Sequence, residues 1–293
     1  MKPHHIAGAF AVVVSVAMAM APSAHAAEFP VATDALLSVA TGISQPDVPP
    51  PGANRPNCRS ATHPTPVVLV HGTALNQNAN WAALAPTLAN NGYCVFSMTY
   101  GRTPFSLGSG AVDSLFTSAD QLETFVNQVR TWTGASRVDL IGHSQGGTVQ
   151  RIYTDRNPAT VHRVIGLAAA NSGVTAFDDI EYLKNAVPAV QPLLSIGCPA
   201  CDELNDPATY PPTAPNVLYH NIISVTDEVI TPYTVGFLPP APNVINQTVQ
   251  SVCPADNVGH LGIAYDPATL QMVLNALSPD DAIPVACDHG LPL

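Results

Sequence analysis

The chain has 293 residues, 46% of them hydrophobic and only 11% charged. That balance supports a sizeable core and excludes a largely disordered chain. A net charge of −11 argues against nucleic acid or an anionic membrane as partner, since an acidic surface repels both.

The first 26 residues read as a signal peptide. Lys2, His4 and His5 precede an apolar run over residues 6–21, and Ala24-His25-Ala26 fits a signal-peptidase site. The run is short for a membrane span, so the expected product is secreted, with no stable membrane span. Residues 27–57 form an extended lead-in, because Pro46, Pro49, Pro50, Pro51 and Pro56 break helices. Residues 58–293 are expected to make one domain.

Within that domain, apolar runs alternate with helix-like periods. Val67-Val68-Leu69-Val70 predicts a buried strand that ends at His71-Gly72. Residues 80–88 predict a helix, and residues 93–100 a second strand. Residues 114–132 are helical, with Leu115, Leu122, Phe125, Val126 and Val129 at one-face spacing. Residues 138–141 predict a strand, 148–156 a helix and 161–169 a further strand. The stretch 170–216 breaks the rhythm and reads as a cap or loop insert, either an apolar wall built from residues such as Phe177 and Leu193 or ordinary core packing. Residues 217–225 and 244–249 predict strands, and 266–277 a closing helix opened by Asp266-Pro267. Strands alternating with helices imply an α/β fold, a mostly parallel sheet with helices on both faces.

The chemistry concentrates at Gly142-His143-Ser144-Gln145-Gly146. A Gly-x-Ser-x-Gly that follows a strand and opens a helix is a nucleophile elbow, a sharp turn that lifts one hydroxyl above the sheet. A serine hydroxyl is a weak nucleophile; it needs a base, and the base needs an orienting carboxylate. On such a sheet these follow in the order Ser, Asp/Glu, His. Asp227 lies just past the predicted strand 217–225, where Glu228 and the pair Asp178-Asp179 compete with it. His260 lies between the last strand and the last helix; His220 falls inside a predicted strand and His289 in the tail. The candidate trio is therefore Ser144, Asp227 and His260. Acyl transfer also needs two N–H donors facing the oxyanion. Gln145, which follows the nucleophile, and Thr73, after the first strand, are the candidates. This chemistry needs no metal or organic cofactor.

Six cysteines, Cys58, Cys94, Cys198, Cys201, Cys253 and Cys287, suit an oxidising compartment and allow 15 pairings. Cys198-Pro199-Ala200-Cys201 has no partner motif at zinc spacing, so a disulfide is the better reading. Asn246-Gln247-Thr248 matches a glycosylation acceptor, which matters only in a glycosylating host.

The segments around Val67–Val70, Ser144, Asp227-Glu228-Val229-Ile230-Thr231-Pro232 and Val258-Gly259-His260-Leu261-Gly262 resemble the secreted bacterial, actinobacterial-type triacylglycerol lipases of the class 2 family, within the α/β-hydrolases. The resemblance runs over roughly residues 58–277. It implies Ser144 as nucleophile, Asp227 and His260 as its partners, Thr73 and Gln145 as oxyanion donors, and disulfides Cys58–Cys94, Cys198–Cys201 and Cys253–Cys287. The expected function is ester hydrolysis through an acyl-enzyme, on an ester or lipid substrate met at an oil–water interface. A secreted polyester hydrolase of cutinase type uses the same trio and is the alternative. A hydrolase fold used only for binding is the alternative of another class, though such a protein has no physical need for all three groups. Acyl-chain length and oligomeric state are not written in these motifs.

Overall fold

A computed structural model describes residues 28–171 and 211–292. Six strands form one all-parallel sheet in the order β2-β1-β3-β4-β5-β6: β1 Val67–Val70, β2 Val95–Ser97, β3 Val138–His143, β4 Val161–Leu167, β5 Leu218–Ile223 and β6 Val244–Thr248. Helices α1 Ala35–Ile43, α2 Gln77–Trp81, α3 Leu84–Asn90, α4 Leu115–Thr133, α5 Gln145–Arg156 and α6 Pro267–Leu277 cover it.

Strand side chains alternate between faces, so one buried strand feeds two cores. Val67, Leu69 and Ile141 pack with Trp81, Leu84 and Leu88 from α2 and α3 and with Val273 and Leu277 from α6. Val68, Val70 and Leu140 point the other way, against Leu122, Val126 and Val129 of α4 and Val149 and Ile152 of α5. Strands buried on both faces read as unbroken apolar runs, which is why β1 is four consecutive branched residues.

The lead-in and the segment 80–88 differ from the sequence reading. The segment 80–88 is not one helix. Asn76 caps an earlier start by accepting from Asn78 N (3.0 Å) and Ala79 N (2.8 Å). Pro86, which has no N–H to donate, instead sits in the first turn of a separate helix beginning at Leu84. The lead-in, expected to be extended, holds helix α1, capped by Asp34, which accepts from Leu37 N. The lead-in also lies against the domain: the Asn90 side chain exchanges two hydrogen bonds with the Phe29 backbone, and Asn54 N donates to Val95 O.

Disulfides join Cys58 to Cys94 and Cys253 to Cys287, with Cα atoms 5.6 and 5.3 Å apart. The Cys198–Cys201 pair, the signal segment and most of the 170–216 insert lie outside the described residues, as do the competing Asp178 and Asp179. Asn246 is a poor glycan acceptor in this fold, because its side chain is engaged: it donates to Leu238 O and accepts from Asn221 Nδ2 and Leu238 N. No helix among the described residues is long and apolar enough to cross a membrane.

Candidate active site

Because every strand runs the same way, the loops that follow β1, β3, β5 and β6 meet on one edge, where open α/β sheets bind their ligands. Those four loops carry Thr73, Ser144, Asp227 and His260.

Ser144 joins β3 to α5 with φ +53° and ψ −125°, a conformation that costs a non-glycine residue strain. Its surroundings hold it there. Ser144 N donates to Leu167 O (3.0 Å), and Ser144 O accepts from Gly147 N (2.9 Å). The neighbouring glycines are required by contact: a Cβ at Gly146 would lie 2.1 Å from Val70 O, and one at Gly147 2.3 Å from Ala169 Cβ.

Asp227 and His260 are brought together. His260 Nδ1 lies 2.9 Å from Asp227 Oδ2 and 3.1 Å from Oδ1. Burial alone would raise the Asp227 pKa. The His260 hydrogen bond and charge, together with donation from Ile230 N (2.7 Å) and Val229 N (2.9 Å), outweigh it and hold the carboxyl below its ordinary value. An ionised carboxylate only accepts, so Nδ1 carries the hydrogen.

Glu228 does not replace Asp227: its Oε2 accepts from His260 N (3.0 Å) and so fixes the backbone of the loop. His220 bonds Gln247 Oε1 within the sheet, and His289 approaches Ala255 O in the tail. Neither of these histidines shares a hydrogen bond with Asp227.

The loop after β1 packs directly on the elbow, since a Cβ on Gly72 would lie 3.1 Å from Ser144 Cβ. In that loop Gly72 N donates to Asn80 Oδ1, Ala74 N to Gly110 O and Leu75 N to Gly72 O. Thr73 N–H is left without a partner among the described residues, as is the N–H of Gln145 in the open first turn of α5.

Sequence reading missed a buried bridge beneath these loops. His143 Nε2 lies 2.9 Å from His260 O, and Nδ1 lies 3.0 Å from Asn80 Oδ1, the atom that also receives Gly72 N–H. Asn80 thus touches the elbow and the β1 loop, and His143 reaches from the elbow to the His260 loop. Burial pushes the His143 pKa down to about 3, with the His260 charge adding to the effect. The ring is therefore neutral, and only one of its two nitrogens has a hydrogen to give.

These motifs have relatives. Residues 64–271 match the class 2 lipase family. The chain belongs to that family. It is 31% identical over 128 residues to a triacylglycerol lipase of Pseudarthrobacter phenanthrenivorans, a match that covers 42% of this chain and 38% of that one. It is 30% identical over 128 residues to a triacylglycerol lipase of Burkholderia plantarii, covering 42% and 34%. The matches therefore span little more than a third of each relative. Among solved structures, an α/β hydrolase from a lagoon-sediment metagenome superposes with TM-score 0.53 at 17% identity, over 75% of this chain and 92% of that one. Aspergillus fumigatus lipase B superposes with TM-score 0.52 at 16% identity, over 76% and 53%. These likenesses fix the fold as that of an α/β hydrolase.

For this class 2 lipase the buried histidines predict an acid limit to stability. Burial lowers His71 to about 4 and His143 to about 3, against about 6.5 in an unfolded chain. Between pH 6.5 and 4 the unfolded chain binds more protons, so stability falls as pH falls through that window. Each histidine contributes up to about 1.4 kcal/mol per pH unit. Asp256 and Asp266, raised by burial, oppose the trend in the carboxylate range. Urea midpoints should drop clearly between pH 7 and pH 5; a flat profile would contradict buried neutral imidazoles.

Proposed function

We propose that this chain is a secreted serine hydrolase that cleaves acylglycerol esters through an acyl-enzyme. The observation that carries the reading is the His260–Asp227 pair on the same sheet edge as the strained Ser144 elbow. With Nδ1 committed to Asp227, Nε2 is the nitrogen free to take a proton. His260 removes the Ser144 hydroxyl proton as the oxygen attacks the ester carbonyl. The C–O bond to the alcohol breaks, and His260 returns the proton to the departing oxygen. Water repeats the sequence, with His260 as base, and releases the acid. Thr73 and Gln145 N–H groups receive the oxyanion in both steps. Family membership and the triacylglycerol lipase relatives support acylglycerol as substrate. The N-terminal segment and the two disulfides support export.

The test combines a fluorophosphonate probe with two substrates. Stoichiometric labelling at Ser144 and faster turnover of emulsified triglyceride than of polyester film are expected. Failure to label would favour a binding protein. Preference for the film would move the substrate to polyesters and leave the chemistry standing.

A further inference from the structure

Ser144 and His260 stand on different loops, and proton transfer needs them within hydrogen-bond reach of each other. Asp227 decides which nitrogen of His260 carries the hydrogen, but it does not decide where the backbone beneath the ring lies. That backbone is held from both sides. His260 N donates to Glu228 Oε2 (3.0 Å), and His260 O lies 2.9 Å from His143 Nε2. The two holds differ in kind. Glu228 is exposed, so water competes for its bond. His143 is 1% exposed, and a bond away from water is electrostatically stronger. His143 also immediately precedes Ser144. The carbonyl of the base is therefore one hydrogen bond away from the neighbour of the nucleophile.

A neutral His143 has one hydrogen for two acceptors, His260 O and Asn80 Oδ1. The two oxygens are not equally placed. Asn80 Oδ1 already receives Gly72 N–H (2.8 Å). His260 O has no other donor among the described residues. With the hydrogen on Nδ1, Nε2 and the His260 carbonyl would face each other as two acceptors, and nothing else would hold that peptide. With the hydrogen on Nε2, the mismatch falls on Asn80, whose oxygen keeps a donor either way.

We propose that His143 carries its hydrogen on Nε2 and is a positioning residue for His260, fixing the base at its distance from Ser144. The inference rests on the ester-hydrolase reading of Ser144 and His260. His143 touches no reacting atom; it acts through the His260 carbonyl. The effect can be large, because a misplacement of about 1 Å can cost about 10²-fold in rate. Packing alone is a separate role. The His143 ring also meets Trp81 edge-on, with centroids 6.4 Å apart, and an apolar side chain of similar size keeps part of that contact.

Amide side chains separate the two ring nitrogens. Glutamine places its amide about where Nε2 lies, and asparagine about where Nδ1 lies. His143→Gln therefore keeps a donor for His260 O, His143→Asn keeps only the contact with Asn80, and His143→Leu keeps neither. Hydrolysis of a p-nitrophenyl ester is measured well below the melting temperature of each variant, so that lost stability does not count. His143→Leu and His143→Asn should lower kcat at least about tenfold while KM changes less than about twofold. His143→Gln should stay within about threefold of the parent's kcat. In proton–nitrogen correlation spectra at pH 7, the imidazole signals absent from His143→Gln should be those of an Nε2–H tautomer. An Nδ1–H tautomer would overturn the proposal, as would His143→Asn matching His143→Gln, or His143→Leu with the parent's kcat. Were Ser144→Ala to keep the parent's rate, the ester-hydrolase reading would fail and the positioning role with it. An inactive Ser144→Ala beside a fully active His143→Leu would sink the positioning role alone.

Discussion

Ser144→Ala should lower hydrolysis of a p-nitrophenyl ester by at least about 10⁴-fold while leaving the melting temperature near that of the parent. The magnitude follows from what the hydroxyl does in the proposed chemistry. Without Oγ no acyl-enzyme forms, and what survives is the rate that binding and the oxyanion donors give to water alone. The fold should tolerate the change. Alanine has the same backbone preferences as serine at φ +53°, and the hydrogen bonds that hold the turn come from the Ser144 backbone, not its side chain. Asp227→Asn provides an internal check. It removes the charge and the fixed Nδ1 proton of His260, and should cost about 10³–10⁴-fold in kcat. Because Ser144 and Asp227 would act in one unit, the double variant should be little worse than Ser144→Ala alone. Residual turnover near the parent's in Ser144→Ala, or multiplicative losses in the double variant, would remove Ser144 from the reaction.

Much of this edge was legible because its parts are local. β1 is found at the residues the apolar run marked, since a strand buried on both faces leaves an unbroken branched-chain signature. The strand–Gly-x-Ser-x-Gly–helix order places Ser144, and the rule that the remaining partners follow on later strand ends places Asp227 and His260. The helix after the elbow begins earlier than its periodicity suggested, at Gln145 rather than residue 148. Gly146 and Gly147 are poor helix formers, and contact with β1 and Ala169 overrides their propensity. What could not be read is pairing across loops. No motif assigns a partner to His143 or Asn80, and in sequence Glu228 competes with Asp227. Their partners lie 117, 63 and 32 residues away, and no local pattern encodes such a meeting.

Gly146→Ala carries the second large effect, on stability and on the site together. Its Cβ would fall 2.1 Å from Val70 O and 2.7 Å from His71 O, well inside contact distance and against backbone that has no rotamer to turn. Helix α5 and the end of β1 must separate, which should destabilise the protein by about 3 kcal/mol or more. The carbonyls pushed aside belong to the segment that leads into Gly72 and Thr73, and Tyr100 Oη donates to His71 O at 2.6 Å. The loop that carries Thr73, the proposed oxyanion donor, would therefore move even in molecules that remain folded, and kcat should fall at temperatures where circular dichroism shows native helix. Gly134→Ala separates this contact effect from a general intolerance of glycine replacement. Gly134 caps α4 at φ +70°, and a Cβ added there would meet nothing within 4 Å. It should lose only about 1 kcal/mol, the cost of a left-handed alanine, and keep full activity. Urea melts and initial rates on the two variants distinguish the outcomes. Equal, small losses would mean that the elbow helix is free to slide on β1, and the close approach on which Thr73 and Gln145 depend as a pair would not be enforced by packing.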